Sequence, residues 1–248
     1  MLANDPVTQA RLDLTTALRA AARHGLNDGV CNHFSMAVPG RNDLFLVNPQ
    51  GLHWSEVTPA DLVMADGEGN VIEGKYPVEA SAFFIHGRVH QGNQRAAVVL
   101  HTHMPYATAL TSIRDGRIEM CTQNALKYWN RIAYDEDYAG LALSNDEGDR
   151  MSRAMAGKDI LFLRNHGVIV SGPTVAQTYD DLYYLERAAM VQVLAMQTGK
   201  PLHNIDAKLA EHTANQIADG EGQQALLHFE SLKRLLDRDE PGWRRMAA

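Results

Sequence analysis

The chain has 248 residues, 45% of them hydrophobic and 21% charged, with a formal net charge of −7. That is an ordinary globular composition with enough apolar material for a sizeable core, and its acidic surplus speaks against a nucleic-acid partner, which calls for basic surface. No apolar run of about 18 residues predicts a membrane span, MLANDPVTQARLDL lacks a signal-peptide pattern, and two cysteines, Cys31 and Cys121, fit a reducing cytoplasm.

Residues 7–24 (VTQARLDLTTALRAAARH) have apolar positions at helical spacing, and Gly25 follows as a stop signal. Residues 33–39 (HFSMAVP) alternate as a strand does, PGRND turns, and LFLVNP at 44–49 is a second strand. TPADLVMAD then reads as a strand, GEGN as a turn and VIEG as a short strand. A helix is predicted from Tyr76 to about Gln91, with Pro77 near its start. Residues 96–103 (AAVVLHTH) form a short, continuously apolar strand that ends in two histidines, and a helix follows from about Pro105. The stretch 117–143 is less regular. Residues 146–157 are helical, 159–164 (DILFLR) is a strand running into Asn165-His166-Gly167, and VIVSG is the next strand. Thr174 to Gln197 is a long periodic helix, and the polar tail from Gly199 is predicted as a loosely docked helix.

No repeat, linker or low-complexity segment divides the chain, so it reads as one domain over 1–248, with 200–248 a C-terminal extension. Short strands between helices predict an α/β fold, a three-layer α/β/α sandwich with a mostly antiparallel central sheet. No G-x-G-x-x-G turn follows a strand, so a dinucleotide fold is not expected.

Eleven histidines exceed what packing requires and direct attention to a metal. In His101-Thr102-His103 the two imidazoles leave the same face of a strand end, because strand side chains alternate. His166 ends another apolar strand at a glycine and offers a third donor. Three neutral imidazoles with an open position suit a catalytic metal, which polarises a substrate oxygen. The competing reading is that these histidines close strands and bond to backbone.

VVLHTHMPYATALT, followed about sixty residues later by LFLRNHGVIVSG, resembles the paired histidine motifs of the class II aldolase/adducin family. DGVCNHFSMAVPG, FLVNPQGLHWSEVTPADLV, FFIHGRVHQ, IAYDEDYAG and TYDDLYYLERAA fall in the family's order, and the resemblance spans roughly residues 8–200. It implies one divalent metal ion per chain bound by His101, His103 and His166, and a homotetramer with active sites between subunits. Zn²⁺ is the first choice for three imidazoles, with Mn²⁺ or Fe²⁺ as alternatives. The sugar-phosphate members carry a glutamate where this chain has Ala82 and a tyrosine where it has Gln123. At positions of their phosphate loop stand Val30, His33, Gln50 and Ala80, and only Ser81 keeps a hydroxyl. NHFS, NPQG and Gln123 resemble the adducin-type bacterial branch, which includes lyases and decarboxylases of carboxylates.

The expected activity is metal-dependent carbon–carbon lysis: retro-aldol cleavage of a small, non-phosphorylated hydroxy-carbonyl compound through a metal-stabilised enolate. The alternatives are decarboxylation of a hydroxy- or keto-carboxylate, aromatic ones included, Fe(II) oxygen chemistry, and a non-catalytic binding module. Glu79 is the candidate acid/base in place of the missing glutamate, against the reading of a solvated acid in a helix's first turn. Asn32, His33, Gln50, Gly51, Ser81 and Gln123 are the candidate substrate residues, Gln123 from a neighbouring subunit. His86 and His90, four apart on a helix, are assigned packing or hydrogen-bonding roles.

Overall fold

The computed structural model describes residues 5–92, 95–141 and 144–246. Helix α1 (Pro6–Arg23) starts where Asp5 accepts the Thr8 N–H at 2.9 Å, with Pro6 pre-set for the first turn, and it stops at Gly25, whose φ is +69°. Strands β1 (His33–Val38), β2 (Arg41–Val47), β3 (Val63–Asp66) and β4 (Val71–Glu73) follow as an antiparallel meander. Helix α2 (Ala80–Gly92) leads to β5 (Val98–Thr102), and α3 (Pro105–Thr111) and the short α4 (Gln123–Leu126) come next. Then come β6 (Ile132–Asp135), α5 (Asn145–Met155), β7 (Ile160–Leu163), β8 (Gly167–Gly172), α6 (Val175–Met196) and α7 (Ala207–Asp239).

The eight strands form one sheet in the order β4-β3-β2-β1-β5-β8-β7-β6, antiparallel at every step except β6 with β7. Alternation along the central strands sends their side chains to two different cores. Phe34, Val98, Leu100, Val168 and Val170 pack with α1, α3 and α6 through Leu14, Leu18, Leu110, Tyr179 and Leu182. Val99, Leu161, Leu163 and Ile169 pack on the opposite face with Ile85 and Val89 of α2 and Met151 and Met155 of α5. This is the expected α/β/α sandwich. His33, Ser35 and His101 occupy the α2 side, where their neighbours in sequence alternate away.

Three elements differ from the sequence expectation. Helix α2 begins at Ala80 rather than Tyr76: Tyr76 precedes a proline, which disfavours helical backbone there, and the Gln50 N–H takes the Pro77 carbonyl at 3.0 Å. The irregular stretch contains β6, a four-residue edge strand too short to show a period. The tail is one 33-residue helix, α7, and its docking is firmer than its polarity suggests. Phe229, Leu232 and Leu236 are buried, and Glu221 meets Lys127 at 3.3 Å and Arg131 at 2.9 Å. His228 lies 2.8 Å from Asp180 on α6, and Lys233 lies 2.8 Å from Asp13 on α1.

Candidate metal centre

His101 sits near the end of β5 and His103 just beyond it, while His166 occupies the turn between β7 and β8. β5 and β8 pair with His101 opposite Ile169 and Thr102 opposite Val168, so the turn carrying His166 is delivered to the end of β5. Asn165 holds φ +55°, a left-handed conformation that asparagine tolerates, and His166 then bonds its N–H to the Leu163 carbonyl at 3.1 Å. Gly167 is required by space: a Cβ there would lie 2.5 Å from the Thr102 oxygen and 2.8 Å from the His103 ring.

The three imidazoles each turn one nitrogen inward, and these nitrogens all lie within 4.8 Å of one another. Ring centroids are 4.8 to 5.1 Å apart. His101 donates through Nδ1 to the Val168 carbonyl at 3.0 Å, leaving Nε2 as a lone pair. His103 donates through Nδ1 to Asp28 at 3.2 Å, and its Nε2 is buried with no partner. Burial, reinforced by repulsion from neighbouring histidines, holds His101 well below the ordinary imidazole value and His166 at about 4. Three convergent imidazole nitrogens, that of His103 buried and unpaired, are the donor set a divalent cation takes, so the residues fit the metal.

Around the triad the structure gathers some of the expected residues and leaves others apart. His33 stands opposite His101 across the β1–β5 pairing, with ring centroids 4.9 Å apart. Asn32 is buried with φ +77°, and its Oδ1 accepts from the His103 N–H at 3.4 Å and the Asp28 N–H at 2.9 Å. Ser81 donates to Glu79 at 3.0 Å and lies 3.5 Å from His33 Nε2. Glu79 caps α2 rather than lying within it, its carbonyl accepting from the Phe83 N–H at 3.3 Å. Gln50 and Gly51 are exposed after β2, and Gln123 is exposed at the start of α4. Among the described residues no hydrogen bond links these three to the triad.

His86 and His90 project from α2 toward the sheet. His33 and His86 are 2.7 Å apart, His86 contacts Ser35, and Ser35 is 2.8 Å from His90, which is stacked on Phe45. Burial holds His33 and His86 well below the usual imidazole range and His90 at about 4. A cavity of about 30 Å³ adjoins Ser35 and His86, with Phe45, Val47 and Ala82 in its wall. A roomier one of about 400 Å³, walled by Lys127, Arg131 and Glu221, includes none of the triad. Asp28 is the residue that sequence reasoning passed over, because it reads as part of the turn Asn27-Asp28-Gly29.

The model of the class II aldolase and adducin N-terminal domain matches residues 12–193. A Caulobacter vibrioides protein named "Putative aldolase class 2 protein" is 35% identical over 237 residues, 95% of this chain and 91% of that protein. A Streptomyces niveus protein named "Decarboxylase NovR" is 32% identical over 203 residues, 81% of this chain and 74% of that protein. A solved structure described as an aldolase II superfamily protein from Pseudomonas syringae superposes with a TM-score of 0.91 at 28% identity, covering 98% of each chain.

Proposed function

Since the chain belongs to the class II aldolase and adducin family, we propose that it is a divalent-metal-dependent carbon–carbon lyase. The observation that carries this reading is the triad of convergent imidazoles, with His103 Nε2 buried and unpaired. His101, His103 and His166 would hold the metal, Zn²⁺ first. Once bound, it would supply a Lewis acid for the negative charge that develops on a substrate oxygen as the bond breaks.

The residues beside the triad define the rest of the reading. Glu79 is the proposed proton carrier, since its carboxylate reaches the site through Ser81. Asn32, His33 and Ser81 would hold the substrate, with Gln50 and Gly51 at the rim of the loop after β2. Gln123, exposed on α4, would enter a neighbour's site in a homotetramer. The substrate is a small hydroxy-carbonyl compound without phosphate, cleaved in the retro-aldol direction. We place the enzyme in the cytoplasm as one domain with 200–248 as its extension; among the described residues no helix is long and apolar enough to cross a membrane.

Decarboxylation of a hydroxy- or keto-carboxylate is the second reading, favoured by the similarity to the protein named a decarboxylase. Both reactions leave a carbanion beside the same oxygen, so products separate them. Zn²⁺-loaded protein is incubated with panels of hydroxy-carbonyl compounds and of hydroxy- and keto-carboxylates, and released aldehyde and CO₂ are measured. Aldehyde release, abolished by chelation and by His103→Ala, is the expected result. CO₂ release alone transfers the assignment to decarboxylation. Neither product from metal-replete protein contradicts the lyase reading.

A further inference from the structure

Trp129 lies in the turn between α4 and β6, and its ring stands in the wall of a cavity of about 420 Å³. One side of that wall comes from the family domain. Tyr128 and Trp129 are in the turn, Ile132 and Tyr134 are on β6, and Ile118 and Met120 precede α4. The other side comes from beyond the family match, which ends at residue 193: Asn204 and Ile205 belong to the link between α6 and α7. Two bonds pin this link in place, from the Ile205 N–H to the Met120 carbonyl at 2.9 Å and from Asn204 Nδ2 to Glu119 Oε2 at 2.8 Å. The cavity is separate from the metal centre. Tyr134 packs near Phe162, with ring centroids 5.4 Å apart, on the sheet face covered by α1, α3 and α6, whereas His101 faces α2. Its wall includes none of the triad.

The polar groups of this wall fix what an occupant must offer. Tyr128 Oη donates to the Asp181 carbonyl at 2.8 Å, which uses its proton. Tyr134 Oη accepts the Ile118 N–H at 3.0 Å and keeps its own proton to donate. Burial pushes that hydroxyl above its ordinary value, so it remains a donor at neutral pH. Trp129 Nε1 is buried with no hydrogen-bond partner among the described residues, and an indole N–H can only donate. Buried donors without partners are rare, and one in the wall of a cavity is a group that a ligand satisfies. Trp129 also borders the cavity of about 400 Å³, but there Lys127 and Arg131 are already paired with Glu221. The aromatic and aliphatic neighbours are on the β6 side. Charge narrows the choice further. Arg117 lies over the Tyr134 ring at 4.2 Å and is paired with Glu136 at 2.7 Å, so an anion would meet the Glu119 carboxylate without a free cation to offset it. A cation would set its donors against those of Trp129 and Tyr134.

We propose that this cavity is a second ligand site, for a small neutral aromatic carbonyl compound whose ring lies among Tyr128, Trp129 and Tyr134 and whose oxygen accepts from Trp129 Nε1, with the Tyr134 hydroxyl as a second donor. The volume is in the range of small-molecule sites, and aromatic walls with few polar groups are their usual lining. Aromatic side chains favour a flat ring in stacked or edge contact. A carbonyl oxygen brings two lone pairs and no proton, which is what two donors call for. A hydrocarbon of the same shape would leave the indole N–H buried and unpaired. The ligand touches both the family domain and the 199–206 link, so its binding stabilises the fold by mass action. The site shares no residue with the metal centre and stands whether or not the lyase reading does.

Calorimetric titration of the full chain tests this with acetophenone and with α-methylstyrene, which has the same shape with a CH₂ group in place of the oxygen. Wild type is expected to saturate at about one acetophenone per chain, with the same affinity after chelation, and to melt at a higher temperature as acetophenone is added. Trp129→Phe keeps an aromatic wall and removes the donor. Acetophenone should then bind about tenfold more weakly, while α-methylstyrene changes by less than about twofold. Ile205→Trp fills the cavity from the half-buried link, away from the neighbouring cavity, and should abolish binding of both compounds while the ligand-free protein melts close to wild type. The proposal is overturned by no saturable acetophenone binding, by binding that chelation removes, by equal loss of both compounds in Trp129→Phe, or by undiminished binding in Ile205→Trp. The wild-type titrations decide the first two even where a variant fails to fold. Acetophenone bound as expected by protein that holds no metal or releases no product would count against the proposed reaction and leave this site standing.

Discussion

His103 divides its two nitrogens between unlike tasks. Nδ1 donates to Asp28, and Nε2 is buried facing the other two imidazoles. A carboxylate behind a ligating histidine fixes its tautomer and raises its basicity, and losing such a partner typically lowers metal affinity 10–100-fold. Asp28 is largely exposed and pairs only through this contact among the described residues, so Asp28→Ala should leave the fold intact and weaken Zn²⁺ binding by about tenfold. Competition with a chromophoric chelator measures it, and unchanged affinity would show that Asp28 does not orient the ring. His101 and His103 were legible as a pair because strand alternation puts residues two apart on one face. Asp28 was not, since 75 residues separate it from His103 and only the folded loop joins them. The same holds for the His33–His86–His90 chain, which depends on how α2 lies across β1.

At the scale of elements, the site is made by strand ends and one helix. Most strands and helices were legible from their apolar periods. The predicted start of α2 lies four residues early because Tyr76–Glu79 reads as helical, although Pro77 keeps Tyr76 out of the helix. That shift moves Glu79 to the cap, where Ser81 donates to it at 3.0 Å and itself lies 3.5 Å from His33. β6 escaped notice because four residues paired at a sheet edge carry no detectable alternation. The grip of α7 was illegible for another reason: its buried residues, Ala210, Ala225, Phe229, Leu232 and Leu236, are scattered along a mostly polar helix. Phe229 is 2% exposed and packs near Tyr179. Phe229→Ala should therefore destabilise the protein by about 3–5 kcal/mol, visible as a lower urea midpoint. A change under about 1 kcal/mol would mean that α7 docks through its ion pairs rather than its apolar face.

Over the whole molecule, many histidines are buried in neutral form, and this couples folding to pH. His24 and His90, on opposite faces of the sheet, are each held at about 4, mainly by burial. His24 bonds to Tyr179 and faces His228, Arg187 and Arg23; His90 meets Ser35, Phe45 and the Ala96 carbonyl. Their unfolded value is about 6.5, so between about 6.5 and 4 the unfolded chain binds more protons than the folded one. Stability from these groups is full above that window and is lost as pH falls through it. Glu186, raised by burial, pulls the opposite way as a single group. Chelator-treated protein should thus unfold at lower urea near pH 5 than near pH 7.5, and an equal or higher midpoint in acid would contradict buried neutral histidines.

Lyase chemistry at this site depends on three strand-end histidines holding an ion. Elemental analysis of protein purified without added metal, beside His103→Ala, is the most direct measurement. About one divalent ion per chain is expected in the wild type, and its loss in the variant. Wild type and variant alike metal-free, even after incubation with Zn²⁺, Mn²⁺ and Fe²⁺, would remove the centre of the lyase reading and leave the fold as a binding module.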